Sequence, residues 1–220
     1  MNIQVRISRT KGRRQIYQTY RISYEKGMTV LDGLMFVHRT LDPTLAFRWE
    51  CRQGICGTCG VMLNGTPVLS CMTQIDKRRS NVIAPLANFP VEKDLIVNLA
   101  PILTRYGKVK PYLDKIHTVM LTKTEANKSK PFRKCIECGC CIAGSPTVAK
   151  NPSIHLDPMA LVKIARYVTD PRDGVNRKAL LGSDEITRYS SKELRRLEAL
   201  CPRGVPIEKA VEILRAKRYV

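Results

Sequence analysis

Cys51-Arg52-Gln53-Gly54-Ile55-Cys56-Gly57-Thr58-Cys59, then eleven residues, then Cys71: this stretch decides how the chain is read. Its cysteines are spaced x4, x2 and x11, a pattern by which one tight loop and a returning strand hold a [2Fe–2S] cluster. Each iron of such a core takes two thiolates, so three ligands must wrap closely around a small object. Side chains have little room there, and Gly54, Gly57 and Gly60 are expected to provide it. The run from Val61 to Leu69 reads as a hairpin about the Asn64-Gly65 pair and brings the chain back to Cys71. Zinc is the alternative occupant. It favours paired C-x2-C knuckles, and this stretch contains one such pair.

The surrounding composition is that of a globular chain. Its 220 residues suit one or two domains, 44% are hydrophobic and 26% charged. No apolar run reaches the roughly 20 residues of a membrane-spanning helix. The N-terminus begins at once with alternating Ile3, Val5 and Ile7, a strand pattern rather than a leader. Nine cysteines, odd in number and clustered, argue for thiolate ligands in a reducing, cytoplasmic setting rather than for disulfides. The net charge of +19 is spread over short basic runs such as Lys11/Arg13/Arg14 and Arg195/Arg196. No aromatic platform or helix-turn-helix pattern accompanies them, so nucleic acid is not expected as a partner. An acidic protein or an anionic surface suits the charge better.

Residues 3–9 and 15–24 alternate apolar and polar and predict a hairpin. Thr29, with Asp32 three residues on, predicts a helix cap, and Asp42-Pro43 its end. His38 on that helix is expected to be packed rather than to bind metal. Two further strands are predicted at 82–86 and 95–99. Hairpin, helix, cysteine loop and closing strands suggest a small sheet crossed by a helix, similar to the β-grasp of plant-type ferredoxins. Pro101 and Gly107-Lys-Val-Lys-Pro111 read as a linker. Beyond it, Asp157-Pro158, Ser190/Ser191 and Pro206 each predict a helix start.

Cys135-Ile136-Glu137-Cys138-Gly139-Cys140-Cys141 contains C-x2-C-x2-C, three ligands of a [4Fe–4S] cube whose fourth comes from a distant Cys-Pro. One such pair exists, Cys201-Pro202, which gives Cys135, Cys138, Cys141 and Cys201 as the ligand set. Zinc on the same four residues is again the alternative. Cys140 falls outside the regular spacing and is expected not to ligate. The position from which a second cube would draw its cysteine is Ser145-Pro146, so the sulfur is missing there.

At this point the chain resembles the iron–sulfur subunits of succinate dehydrogenase and fumarate reductase, in order and over nearly its whole length. The carriers are the Cys51–Cys59 loop, Lys93-Asp94-Leu95 with Tyr112-Leu113, the Cys135–Cys141 loop, Pro158 through Asp173, and Cys201-Pro-Arg-Gly. The resemblance implies an α+β chain: a β-grasp plant-type [2Fe–2S] ferredoxin domain (1–100) followed by an all-α bacterial-type ferredoxin domain (101–220). It implies a hetero-oligomer with a flavoprotein subunit that holds FAD and a dicarboxylate such as succinate or fumarate. The further partners implied are membrane-anchor subunits or a soluble redox protein, with the chain peripheral on the cytoplasmic face. The [2Fe–2S] cluster would lie nearest the flavin, with Arg52 and Gln53 as candidates for tuning it. Members of the family usually carry a third, [3Fe–4S] cluster beside the quinone site. By position its ligands would fall at Ser145, Ser191 and Leu197, and the quinone-side tryptophans at Thr147 and Val148. None matches, so no [3Fe–4S] is expected. No nucleotide fingerprint or nucleophile–base pair is found, so no catalytic residue is expected on this chain. The alternative function is the same two-cluster module serving a flavoprotein with another substrate and a soluble, non-quinone partner.

Overall fold

The computed structural model describes residues 2–78, 80–181 and 184–218. In chain order they form β1 (Asn2–Lys11), β2 (Arg14–Ser23), α1 (Val30–Phe36), β3 (Gly60–Leu63), β4 (Thr66–Leu69), β5 (Asn81–Ala84), β6 (Val91–Lys93) and β7 (Ile96–Val97). Then follow α2 (Ala100–Lys108), α3 (Lys123–Ser129), α4 (Cys140–Ala143), α5 (Pro146–Lys150), α6 (Pro158–Val168), α7 (Ser191–Ala199) and α8 (Ile207–Arg218). Two compact units result: Met1–Asn98 with Ile136–Gly144, and Leu99–Cys135 with Ser145–Val220.

The first unit is built on a mixed sheet of order β2-β1-β5-β3-β4. β1 pairs antiparallel with β2 from Asn2↔Ser23 to Lys11↔Arg14, and parallel with β5 at Val5↔Asn81 to Ile7↔Ile83. Ile3, Val5 and Ile7 are buried while Gln4 and Arg6 face out, as the period-2 pattern requires. β2 lies at the edge, and its first six residues are all exposed, Ile16 and Tyr17 among them. The β3–β4 turn has Asn64 and Gly65 both at positive φ (49° and 78°), the hairpin conformation their sequence signalled.

α1 carries the expected capping box. Thr29 Oγ1 accepts from the Asp32 N–H (3.2 Å), and Asp32 Oδ2 accepts from the Thr29 N–H (2.9 Å). Val30, Leu31 and Leu34 are thereby set into the core, each worth about 1.5–3 kcal/mol as a buried aliphatic side chain. The following turn, Val37–Leu41, is wound as a π-helix and stops at Asp42. His38 is packed edge-on against Phe47 (5.8 Å), with Nδ1 3.1 Å from the Leu45 carbonyl.

The strand expected at 95–99 shrinks to β7, which pairs with β6 outside the main sheet. The cause is Asp94, in the turn between them at φ 51° and almost wholly buried. Its carboxylate accepts from the Thr10 N–H (2.7 Å) and the Ala46 N–H (2.9 Å) and lies 3.2 Å from Arg9 Nε. This brackets the β6–β7 turn onto β1 and onto the strand-free run that enters the Cys51 loop. Arg9 also donates to Tyr20 (2.5 Å), Thr44 (2.9 Å) and Asp42. Burial opposes the Arg9 charge, yet Asp42, Tyr20 and Asp94 hold the guanidinium above its usual range. Burial and the Asp42 charge push the Tyr20 phenol up to about 12. Asp42 is held below the usual carboxylate range, chiefly by the Thr44 hydroxyl and then by Tyr20 and Arg9, with burial acting against them. A depressed carboxylate stabilises the fold above its unfolded value of about 4, and that stabilisation is lost as pH falls toward the folded value. Thermal unfolding followed from pH 7 downward should therefore weaken below about pH 4, and Asp42→Asn should flatten that limb.

Segment 136–144 belongs with this sheet, although the division read at residue 100 assigned it to the helical half. A Cβ on Gly57 (φ 76°) would fall 2.4 Å from the Ile136 carbonyl oxygen. The side chain of Asn88 donates to the Ile142 carbonyl (2.8 Å). These are backbone approaches, which hydrophobic periodicity does not reveal.

Among the described residues the second unit contains helices and turns only. The expected linker near 100 is helix α2: Pro101 occupies its first turn, where a missing N–H costs nothing, and Ile102 and Tyr106 bury one face. α6 starts at Asp157, whose Oδ1 accepts from the N–H groups of Met159 (3.0 Å) and Ala160 (2.9 Å). It is buried on almost every side, is covered by α8, and α7 packs on α8. Arg177 ties this unit together. Its buried guanidinium donates to both Asp173 oxygens (2.6 and 2.9 Å) and to the carbonyls of Val109 (3.0 Å), Lys110 (2.7 Å) and Tyr112 (2.8 Å), and lies over the Tyr167 ring.

Candidate metal centres

None of the nine cysteines is in a disulfide. The first four lie in the sheet unit, Cys51, Cys56 and Cys59 in the loop before β3 and Cys71 just after β4. Cys51 and Cys56 are half-exposed, and Cys59 and Cys71 are buried. The Sγ atoms of Cys59 and Cys71 lie 3.3 Å apart in an apolar wall made by Leu31, Met35 and Leu69, with Phe47 and Ile136 against it. α1 supplies the first two of these, so its cap fixes one wall of the site. Gly54 and Gly57 take positive φ (66° and 76°), turning the backbone inward. Gly60 does not; it needs space, since a Cβ there would meet the Cys138 carbonyl at 3.0 Å.

The two sides differ electrostatically. The Gln53 N–H points at Cys51 Sγ (3.3 Å), and with Ile55 and Cys56 it lowers that thiol to about 6. Burial, followed by the neighbouring Cys59 thiol, raises Cys71 to about 11. The loop therefore favours a thiolate at its open edge, and its closed edge favours one only when a cation is there to compensate. Arg52, at φ 56°, stacks over Trp49 (5.0 Å) and donates to Met35 Sδ (2.6 Å). Trp49, Ile55 and Met72 stand exposed around this edge. Gln53 contributes its backbone N–H to the site.

Of the second set, Cys138 and Cys141 lie in the sheet unit. Cys138 is lowered to about 7, first by the Cys140 side chain and then by N–H donors, with burial opposing. Gly139 at φ 77° turns the chain into α4, which leaves Cys140 wholly buried and Cys138 and Cys141 half-buried. Cys135 and Cys201 lie in the helical unit, both half-buried. The Cys135 N–H caps back to Phe132 (3.3 Å). Cys201 follows α7, its N–H donates to Glu198 (3.0 Å), and its Sγ accepts from the Val205 N–H (3.4 Å). No three His, Cys, Asp or Glu side chains among the described residues converge as a site for a single metal ion.

The positions matching a third cluster look different. Ser145 is buried and caps α5, its Oγ accepting from the Val148 N–H (3.2 Å) and donating to Glu193 Oε1 (2.7 Å). Ser191 is exposed at the start of α7, and Leu197 is wholly buried on the same helix. Thr147 donates to Glu193 through its N–H (3.2 Å) and its hydroxyl (2.6 Å). Val148 is buried. The Ser145-Pro146 cap could have been read from sequence as a helix start. Nothing local to Glu193 announces its part.

Comparison with known proteins places this geometry. Residues 3–104 match the model of a 2Fe-2S iron-sulfur cluster binding domain. The fumarate reductase iron-sulfur subunit of Haemophilus influenzae is 32% identical over 224 residues, covering 92% of this chain and 87% of the relative. The mitochondrial succinate dehydrogenase [ubiquinone] iron-sulfur subunit of Dictyostelium discoideum is 31% identical, covering 88% and 74%. Among solved structures, a chain of the Mycobacterium smegmatis Sdh1 complex in the apo form superposes with a TM-score of 0.86 at 24% identity, over 99% of this chain and 95% of that one. With four thiols gathered in a sheet unit of this topology and relatives aligned almost end to end, the chain belongs to the iron–sulfur subunits of the succinate dehydrogenase and fumarate reductase family.

Proposed function

We propose that this subunit carries single electrons between the FAD of a flavoprotein subunit and a terminal partner. It would hold a [2Fe–2S] cluster on Cys51, Cys56, Cys59 and Cys71, and a [4Fe–4S] cluster on Cys135, Cys138, Cys141 and Cys201. The observation that carries the reading is the first site: Cys59 and Cys71 meet at 3.3 Å against the wall of α1, and Cys51 interacts with both Cys56 and Cys71. When bound, such clusters supply one-electron couples. The chain's own part is to bind and tune. The Gln53 and Val205 N–H groups point at ligand sulfurs, which favours the thiolates and, with a cluster in place, its reduced form. Leu31, Met35 and Leu69 keep water from the inner sulfurs.

The sheet unit is read as a β-grasp [2Fe–2S] domain and the helical unit as a bacterial-type ferredoxin domain. A [3Fe–4S] cluster does not fit the residues present. At its three positions stand a hydroxyl committed to a carboxylate, an exposed hydroxyl and a leucine packed in the core. The relay read here therefore ends at the second cluster, and its terminal partner is a membrane-anchor subunit with its own cofactor or a soluble redox protein. No described helix is long and apolar enough to cross a membrane. We read the subunit as peripheral, attached on the cytoplasmic face through its partners.

The test is anaerobic isolation of the complex. We expect about six iron and about six acid-labile sulfide per chain, a co-isolated flavoprotein, and the [2Fe–2S] EPR signal on adding succinate. Zinc without iron would overturn the redox reading. A flavoprotein indifferent to succinate and fumarate would overturn the substrate, and a [3Fe–4S] signal in the oxidised protein would overturn the two-cluster relay.

A further inference from the structure

We infer that Ser145, Thr147 and Glu193 form a carboxylate clamp that positions α7, and through α7 the ligand Cys201, for the second cluster. The inference rests on the reading of Cys201 as a ligand. Both oxygens of Glu193 are engaged: Oε1 by the Ser145 hydroxyl (2.7 Å) and the Thr147 N–H (3.2 Å), Oε2 by the Thr147 hydroxyl (2.6 Å). Ser145 and Thr147 are buried, so these donors have little water to turn to. At its other end Glu193 is fixed by its own backbone, whose N–H donates to the cap Ser190 Oγ (3.2 Å). The clamp thus joins the first turn of α5 to the first turn of α7 through charge-assisted hydrogen bonds.

α7 is then a short rigid lever. Leu194 and Leu197 seat it in the core, Glu198 accepts from the Glu208 N–H of α8 (3.3 Å), and the Cys201 N–H closes its end on Glu198 (3.0 Å). Nine residues of helix span about 13 Å, so a tilt at the clamped end displaces the Cys201 end. The resemblance would place third-cluster ligands at Ser145 on the α5 side and at Ser191 and Leu197 on the α7 side. In this chain the carboxylate makes the α5–α7 connection. Glu193 is accordingly a positioning residue.

The full chain is prepared anaerobically with its clusters as wild type, Glu193→Ala, Glu193→Gln and the double variant Ser145→Ala/Thr147→Val. Two quantities are read: the lifetime of the [4Fe–4S] cluster on exposure to air, and the EPR line shape of its reduced form. Glu193→Ala should shorten the lifetime on the order of tenfold and broaden the line shape, leaving the [2Fe–2S] signal unchanged. The amide of Glu193→Gln can still accept from Ser145 and the Thr147 N–H while the Thr147 hydroxyl turns to accept, so it should restore most of the lifetime. The double variant keeps the carboxylate but removes both hydroxyl donors, and should behave as Glu193→Ala does. It decides the matter if Glu193→Ala does not assemble. With a wild-type [4Fe–4S] signal present, lifetimes and line shapes within twofold of wild type overturn the clamp alone. Absence of that signal from the wild type overturns the cluster assignment and the clamp with it.

Discussion

Cys71→Ala is expected to strip the first centre from the chain and leave the second in place. Iron should fall from about six to about four per chain, and the [2Fe–2S] EPR signal should vanish while that of the reduced [4Fe–4S] cluster persists. Cys71 is the informative ligand because it comes from outside the tight loop. It faces Cys59 at 3.3 Å within the apolar wall. Alanine there removes one thiolate and offers no oxygen in exchange. The polypeptide itself should tolerate the change, since a small side chain replaces a small side chain, at a cost on the order of 1 kcal/mol. Electron transfer from the flavoprotein should be lost with the cluster. Retention of full iron and an unchanged signal in Cys71→Ala would remove this residue from the ligand set.

Arg177→Ala is expected to destabilise the helical unit more than any other single truncation considered. The change leaves the almost wholly buried Asp173 without its cation and frees the carbonyls of Val109, Lys110 and Tyr112. Breaking a buried pair in this way costs about 3–5 kcal/mol, which lowers the melting temperature of a chain this size by roughly 6–20 °C. Lysine should not rescue it: an ammonium cannot present the planar fork that meets two carboxylate oxygens and three carbonyls at once, nor stack on Tyr167. The double variant Arg177→Ala/Asp173→Ala should be more stable than Arg177→Ala, because the stranded charge has gone. Thermal unfolding of the four proteins checks the series. A double variant no better than the single would assign the loss to the carbonyls rather than to the carboxylate.

These two predictions differ in how far they were legible beforehand. Cys71 could be named from spacing, because the ligands of one small cluster are tied to short, recurrent loop lengths. Arg177 could not: it meets carbonyls 65 to 68 residues earlier, and no local pattern marks them. Intermediate cases show where the signal lies. The Thr29–Asp32 box and the Asn64-Gly65 turn are local backbone chemistry and stand where the residues put them. The Thr122–Glu125 box at the start of α3 is equally local, but no apolar periodicity follows it to mark a helix. α2 looks like a linker in sequence because proline and glycine at its ends suggest irregular chain. Proline in a first turn and buried Ile102 and Tyr106 make it a helix.

The sequence by itself determined the cysteine spacing, the helix caps, the hairpin turns and the alternation along β1, and through them the family. Each depends on backbone geometry or ligand reach within a few residues. Only the tertiary structure decided that Asp94 would bracket Thr10 and Ala46, that 136–144 would lie with the sheet, and that Glu193 would clamp α5 to α7. The reason is common to all three. A buried polar group must find partners wherever the packed chain brings donors and acceptors together, and that meeting is a property of the whole fold.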